Sequence, residues 1–351
     1  MKYKMTVLLA CALLLSNGWA RAADKNGDVL PRRFSDAMTW NLQNRVEDIT
    51  ITKVAVPSDS ASRPGAAEKG KAPSLPDQVS QGSAARNVTE NGVLEDQVFG
   101  STGNDENALR ITGASVTLKN VEIMKEEGTS SSTENGDFYG MNAALLATGG
   151  AQVTVEDSAV HSAALNGNGL FSYGKGTMIS AKNVTITTEG SHSGGLQTTG
   201  GALTEAENVT VSTAGNSSAA IRSDRGGGTV LVKGGTFRTE GYGSPAVYST
   251  ADISIEGADL SASRSEGAVI EGKNSIALKN CRMEGNMAET RLMGGETIKE
   301  ENVHTVMIYQ SMSGDAEEGT SSFSMEGAAS CPIKEMFSTS PIRTAPSIWI
   351  M

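Results

Sequence analysis

A repeat of about 25 residues runs through the middle of this sequence and constrains its fold more than any other feature. Each unit has an apolar anchor, a turn of small residues, an alternating strand and a second turn. Strands at such a period, without a helical pattern, are typical of a parallel β-solenoid, whose stacked coils together bury a face that one coil cannot. The successive anchors lie 25, 26, 25, 26 and 22 residues apart at Leu145, Leu170, Leu196, Ile221, Val247 and Val269.

The first step of the repeat is longer than the others. Leu109 and Leu145 are 36 residues apart, and the extra segment Glu126–Gly140 is rich in Ser, Glu, Asn and Gly. We therefore expect an insertion in the first of these coils, while the repeat on either side keeps its register.

The middle strand of each unit carries an apolar residue that would stack along the solenoid axis about 4.8 Å from its counterparts. Two members, Met178 and Leu203, lie one residue further from the following bend than the rest do. The column consists of Val116, Val153, Met178, Leu203, Val230, Ile253 and Ile276.

A second column lies in the short bend after the middle strand. Its members are Asn, Asp or Gly, the residues that tolerate left-handed backbone geometry. Such a column predicts a sharp corner between two strands, and stacked Asn amides can hydrogen-bond along it. It consists of Asn120, Asp157, Asn183, Asn208, Gly234, Gly257 and Asn280.

These patterns predict an all-β fold, a single-stranded right-handed parallel β-helix of about 7–8 coils with a disordered N-terminal region. We divide the chain into a signal peptide (1–22), a region of N-terminal cap strands and linker (23–100), the β-helix (101–327) and an aberrant tail (328–351). In the second region, Val46–Val56 alternates well enough for one or two strands. The Pro-, Ser- and Gly-rich segment Pro57–Arg86 favours a flexible linker.

The first 22 residues predict export. Lys2 and Lys4 precede the apolar run Met5–Leu15, and Ala20–Ala22 offers a cleavage site between small residues. The run is shorter than the roughly 20 residues of a membrane-spanning helix, so we expect no membrane segment in the mature chain. Leu8–Cys11 resembles a lipoprotein box, but it leaves too short an apolar core before the cysteine. We expect a secreted or surface protein.

The end of the chain departs from the repeat. Residues 321–327 begin another coil, but the alternation then stops, and residues 328–351 contain Cys331 and three prolines. Reading the codons from one nucleotide earlier can restore a strand like that at residues 275–280. We therefore expect a frameshifted tail and a truncated solenoid, whose uncovered end would expose strand edges.

The composition excludes several classes of function. With 29 basic and 40 acidic residues the chain carries a net charge of −11, which disfavours binding to nucleic acids. Removal of the signal peptide leaves Cys281 and Cys331, which permit at most one disulfide. The histidines lack the spacing of a zinc site, so we expect no metal or other cofactor. We expect surface or turn positions for His161, His192 and His304.

Several segments together carry a resemblance to a known type of protein. They are GDFYGMNAALLATGG (136–150), NGNGLFSYGKGT (166–177), GNSSAAIRSDRGGGT (215–229), SPAVYSTADI (244–253), VIEGKNSIALKNC (269–281) and VMIYQSMSGDA (306–316). The chain resembles exported right-handed parallel β-helix proteins of anaerobic bacteria, often described as adhesin-like or pectin-lyase-like. The resemblance implies a fold and a secreted or surface setting, and it transfers no catalytic residues.

Six residues near the bends are candidates for ligand binding. Tyr173 and Tyr248 could stack on sugar rings, and Asp224–Arg225 would otherwise form a local ion pair in a turn. Glu271 and Lys273 occupy a comparable bend, and stacking could unite these bends in a small groove of mixed charge. We expect substitution of either tyrosine or of Asp224 to weaken glycan binding with little loss of stability.

The sequence favours an adhesin-like interaction module that contacts glycans or neighbouring cell-surface polymers. The alternative is a polysaccharide lyase or glycoside hydrolase on the same scaffold, which a concave face with two or more carboxylates and exposed aromatic residues would favour. A third interpretation is a broken gene product without a function of its own.

Overall fold

The computed structural model describes residues 48–54, 79–287, 290–293, 296–299, 304–309 and 320–327. Within them the chain forms a right-handed parallel β-helix of about eight coils, so the predicted fold is confirmed. The predicted signal peptide, most of the predicted linker and the tail from residue 328 lie outside the described residues. Most of the N-terminal region that we predicted to be disordered also lies outside them, and of that region only residues 48–54 and 79–100 are described.

Each complete coil consists of three short strands, one for each of three sheets. In chain order the described strands are β1 Asp48–Val54, β2 Ser83–Val88, β3 Gly92–Glu95, β4 Val98–Ser101, β5 Glu106–Thr112, β6 Ser115–Lys119, β7 Glu122–Lys125, β8 Leu145–Thr148, β9 Gln152–Glu156, β10 Ala159–Ser162, β11 Leu170–Tyr173, β12 Met178–Lys182, β13 Thr185–Thr188, β14 Leu196–Thr199, β15 Ala202–Glu207, β16 Thr210–Thr213, β17 Ile221–Ser223, β18 Gly228–Lys233, β19 Thr236–Thr239, β20 Val247–Ser249, β21 Asp252–Glu256, β22 Asp259–Ala262, β23 Ala268–Glu271, β24 Ser275–Lys279, β25 Arg282–Gly285, β26 Thr290–Met293, β27 Glu296–Lys299, β28 Val306–Tyr309 and β29 Thr320–Glu326. A short helix, α1, spans Thr133–Tyr139.

The three sheets run the length of the solenoid. Sheet 1 has the order β2-β5-β8-β11-β14-β17-β20-β23-β28, sheet 2 the order β3-β6-β9-β12-β15-β18-β21-β24-β29-β1, and sheet 3 the order β4-β7-β10-β13-β16-β19-β22-β25. All neighbours in them are parallel except β1 and β29, which pair antiparallel. Strands β26 and β27 form a separate antiparallel pair. The first coil, β2–β4, begins at Ser83 in the region placed before the β-helix.

The interior column of sheet 2 differs from the predicted one at two coils. Register pairs Val153 with Ile179, and Ile179 with Thr204, so Met178 and Leu203 lie one position away on the outward side. The reason is the distance to the corner, because each interior residue lies four positions before the bend. Thr204 is buried, and its hydroxyl lies 2.6 Å from that of Ser172. In the anchor column of sheet 1, Val247 likewise pairs with Ala268 instead of Val269.

The corners between sheets 2 and 3 are built from the Asn, Asp and Gly residues of the second column. All seven have positive φ, between 48° at Asn120 and 70° at Gly257. Their amides form a ladder between coils, in which Nδ2 of Asn183 donates to Oδ1 of Asp157 and Nδ2 of Asn208 donates to Oδ1 of Asn183, both at 2.9 Å. The left-handed backbone and the side-chain bonds together explain the residue preference at this position.

A column of alternating charge lies directly before these corners, on the outer side of sheet 2. Strand register places its members opposite one another on successive coils, and several adjacent pairs are within ion-pair distance, such as Lys182 and Glu207 at 3.1 Å. We call this column the charge ladder. It consists of Glu95, Lys119, Glu156, Lys182, Glu207, Lys233, Glu256, Lys279 and Glu326. Alternation avoids the repulsion that like charges would suffer at this spacing.

The insertion predicted in the early coils contains helix α1. Its N-cap is Ser132, whose side chain accepts a hydrogen bond from the backbone of Asn135, and it ends at Gly140, where φ is 81°. The helix covers the outer side of sheet 1. Gln197 on that side donates to the backbone carbonyl of Asp137 at 2.9 Å, and Thr199 donates to the backbone carbonyl of Phe138 at 2.7 Å. The helix of this insertion provides one wall of the site described below.

Candidate functional site

The outer side of sheet 1 brings together three of the six candidates from the sequence, Asp224, Tyr248 and Glu271. Strand register places Arg222 beside Tyr248, and Glu271 beside Tyr309. Asp224 follows β17 on the same side. Since adjacent coils are about 4.8 Å apart, these residues occupy four successive coils within about 15 Å along the axis.

Two groups can be distinguished on this side. The arginine cluster consists of Arg222, Asp224, Asp137, Gln197 and His192. The tyrosine cluster consists of Tyr248, Glu271 and Tyr309. The first is buried under helix α1, and the second is half-buried at the next coils.

The arginine cluster joins helix α1 to sheet 1. Nε of Arg222 lies 2.6 Å from Oδ2 of Asp224, and its Nη1 lies 3.2 Å from Oδ1 of Asp137 on the helix. Nδ1 of His192 lies 3.1 Å from the other oxygen of Asp137, and Gln197 donates to Asp224 at 3.1 Å. One guanidinium therefore holds two carboxylates that are nearly inaccessible to solvent.

The two carboxylates of this cluster respond to burial in opposite ways. Burial raises the pKa of Asp224 to about 6, and the nearby Asp137 adds to this, although Arg222 opposes it. Burial also acts to raise the pKa of Asp137, but Arg222 and His192 outweigh it, so that this pKa is lowered. For Arg222, burial acts to lower the pKa, but the two carboxylates raise it overall. Asp224 is thus the carboxylate that protonates first.

In the tyrosine cluster two phenols meet one carboxylate. Tyr248 donates to Oε2 of Glu271, and Tyr309 donates to the same oxygen at 2.9 Å, while the two phenolic oxygens lie 3.0 Å apart. Burial raises the pKa of both phenols. Tyr309 and Asp224 raise the pKa of Tyr248 further, and Glu271 raises the pKa of Tyr309 further. Both phenols stay protonated at neutral pH and act as donors. Within the described structure Oε1 of Glu271 has no hydrogen bond.

The remaining candidates do not join this group. Tyr173 packs edge-on against Tyr139 at 5.6 Å, so its ring contributes to the contact between α1 and the sheet. Arg225 is exposed, lies over the ring of Phe138 at 4.3 Å and is 3.6 Å from Glu134. Lys273 is exposed at the bend that follows β23.

Three expectations from the sequence are wrong. The local ion pair between Asp224 and Arg225 does not form, because Arg222 on the adjoining strand reaches Asp224 instead. Asp224 is also buried, so its replacement cannot leave stability unchanged. His304 is buried rather than on the surface, with Nε2 3.2 Å from Oε1 of Glu266.

The remaining cysteine and histidine positions form no metal centre among the described residues. Cys281 is buried, its thiol donates to the carbonyl of Lys279 at 3.3 Å, and burial raises its pKa. The part of the chain that the structure describes has no group of three His, Cys, Asp or Glu side chains suited to a metal ion. Nor does any helix there have the length and apolar character needed to cross a membrane.

A shallow depression of about 380 Å³ lies on the outer side of sheet 2. Ser180, Glu205 and Leu231 line it together with members of the charge ladder. Its lining carries four carboxylates against two lysines, but several of these side chains are about half exposed, so solvent screens the attraction that they could offer a charged ligand. We therefore regard the outer side of sheet 1 as the better candidate site.

Sequence reasoning missed Arg222, Tyr309, Asp137, Gln197 and His192 as members of the site. Arg222 and Tyr309 had a detectable signal in the sequence. Arg222 and Tyr248 each follow an anchor residue by one position, and aligning the segment 306–309 with 268–271 places Tyr309 beside Glu271. Asp137 had none, because its position depends on how the insertion folds back on the sheet.

Comparisons with protein-family models, with curated proteins and with solved structures found no match to this chain. The parallel β-helix is therefore assigned from the strand register itself. The two clusters on sheet 1 are the features of the described structure that bear on its function.

Proposed function

We propose that this chain is an exported, surface or secreted β-helix protein that binds glycans through the outer side of sheet 1. The observation that carries the proposal is the tyrosine cluster, in which Tyr248 and Tyr309 flank the carboxylate of Glu271. Tyrosine combines an apolar ring with a polar hydroxyl, and a carboxylate accepts hydrogen bonds from sugar hydroxyls. The N-terminal segment, with its basic start and apolar run, supports export.

The scaffold favours binding because it holds these side chains rigidly. Glu271 and Tyr309 lie at the ends of neighbouring hydrogen-bonded strands, and Tyr248 lies within β20. Side chains on paired strands keep their geometry better than side chains on loops, so less order has to be gained on binding. The buried arginine cluster fixes the neighbouring coil.

The same geometry gives little support to catalysis. Glycosidases need two carboxylates that both reach the substrate, whereas Asp224 is buried and bound by Arg222 and Gln197. A lyase needs a base, but both phenols stay protonated and Arg222 is held in ion pairs. A binding module is thus the function that the contacts support best.

The experiment is a screen of the purified protein against immobilised glycans, followed by calorimetry on those that bind. We expect Tyr248→Ala and Glu271→Gln to weaken binding about tenfold or more, since each removes a contact at the centre of the site. Tyr242→Ala and Glu240→Gln are matched controls, because these residues lie outside both clusters. Binding that is unchanged in both site variants, or lost equally in the controls, would place the glycan site elsewhere.

A further inference from the structure

The charges on the outer side of sheet 1 indicate which sugars fit it. Asp137, Asp224 and Glu271 supply three carboxylates, and Arg222 is the cation that contacts two of them. Glu271 takes part in no ion pair within the described structure. The accessible part of the site therefore presents a carboxylate whose charge is not balanced by a neighbouring cation.

The two tyrosines make this carboxylate suitable for a cation. Both phenols donate to Oε2 of Glu271, which leaves Oε1 to accept a further hydrogen bond. A protonated amine can donate to that oxygen in a charge-assisted hydrogen bond. An anionic sugar would instead bring a second carboxylate towards Glu271, which raises the energy of the complex.

We propose that the ligand is a glycan whose sugars carry a free, protonated amine, of the glucosamine type, and that Glu271 binds this amine. The inference rests on the proposed glycan-binding function and names its sugar class. It predicts discrimination against N-acetylated sugars, whose amide nitrogen is uncharged, and against uronic acids, which carry the wrong charge. Free amines of a basic peptide share the ammonium group but lack the sugar ring for the tyrosines.

The test compares four probes of matched length by calorimetry on the intact mature protein. These are oligomers of glucosamine, of N-acetylglucosamine and of galacturonic acid, together with oligolysine. We expect the glucosamine oligomer to bind at least about tenfold more tightly than its acetylated form, because only the free amine can form a charged hydrogen bond with Glu271. Galacturonate and oligolysine should bind more weakly than the glucosamine oligomer.

The variant Glu271→Gln tests the residue itself. Glutamine keeps the size of the side chain and still accepts from both phenols, so the cluster should stay folded, which a thermal melt checks. We expect this variant to lose the preference for the free amine, while Glu240→Gln keeps it. Equal affinity of the wild type for the free and acetylated oligomers, or a preference that survives Glu271→Gln, would overturn the amine inference and leave glycan binding standing. Failure of every glycan in the screen to bind would overturn the proposed function itself, and tighter binding of oligolysine would show that the amine belongs to a peptide.

Discussion

Arg222 on strand β17 contacts Asp137 on helix α1 across 3.2 Å, although the two residues are 85 positions apart in the chain. The contact is buried, and it fixes the inserted helix to the sheet. The insertion is thereby part of the solenoid rather than an appendage to it.

Removal of Asp137 should destabilise the fold strongly. We expect Asp137→Ala to lower the free energy of unfolding by about 3–5 kcal/mol, because it leaves a buried guanidinium with one fewer partner. Urea denaturation measures the change. Glu134→Ala is the control, since Glu134 and Arg225 form an exposed pair and its loss should cost less than about 0.5 kcal/mol. Equal effects of the two substitutions would contradict the structural role of the buried contact.

The raised pKa of Asp224 predicts a specific dependence of stability on pH. Its pKa is about 6 in the folded protein against 3.8 for the free side chain, so between these values the folded state binds more protons than the unfolded state. Stability from this group therefore increases as the pH falls through that window. We expect the wild type to gain stability relative to Asp224→Asn between about pH 6 and 3.8. Urea melts across this range provide the check, and a constant difference would argue against the raised pKa.

The charge ladder predicts an effect that depends on salt. Lys182→Glu would put three carboxylates on consecutive coils about 4.8 Å apart, and we expect a loss of roughly 1 kcal/mol at low ionic strength. The loss should shrink in about 1 M salt, where the Debye length is about 3 Å. Lys175→Glu makes the same change of charge in an exposed turn outside the ladder and should have little effect. A loss that is insensitive to salt would point to packing instead of charge.

The corner column allows backbone strain to be separated from side-chain bonding. Gly234 has a φ of 67°, and a Cβ there would meet nothing within 4 Å, so Gly234→Ala should cost about 1 kcal/mol through backbone strain alone. Gly234→Asn should cost less, because asparagine tolerates this geometry and can extend the amide ladder from Asn208. Thermal melts of the two variants give the order. If alanine proves as stable as asparagine, strain does not explain the column.

Local chemistry explains how far the fold could be predicted from the sequence. Each corner needs a residue that tolerates left-handed backbone geometry, so the column from Asn120 to Asn280 marked the turn position in each coil, while the apolar anchors gave the coil period. The distance to these corners, rather than hydrophobicity, decides which side chains point inward. Met178 and Leu203 were therefore placed in the core column, although Ile179 and the polar Thr204 occupy it.

The charge ladder was visible in principle and was missed. Each member comes directly before a corner residue, as Lys182 does before Asn183, so alignment on the corners exposes the alternation. The arginine cluster was not visible in this way. Asp137 reaches Arg222 only because the insertion folds back across coils, and no local pattern encodes a contact over 85 positions.

The odd number of rungs in the charge ladder has a consequence for polymer growth. The ladder begins at Glu95 and ends at Glu326, where strand β1 already sets a further acidic residue, Asp48, opposite the last member, so a second molecule stacked head to tail would bring Glu95 towards an acidic edge. Strand β1 also runs antiparallel along β29 and occupies the edge where such a fibre would extend in sheet 2. At this edge the stacked strands resemble those of a fibril, but the covering strand and the like charges oppose the addition of a further molecule.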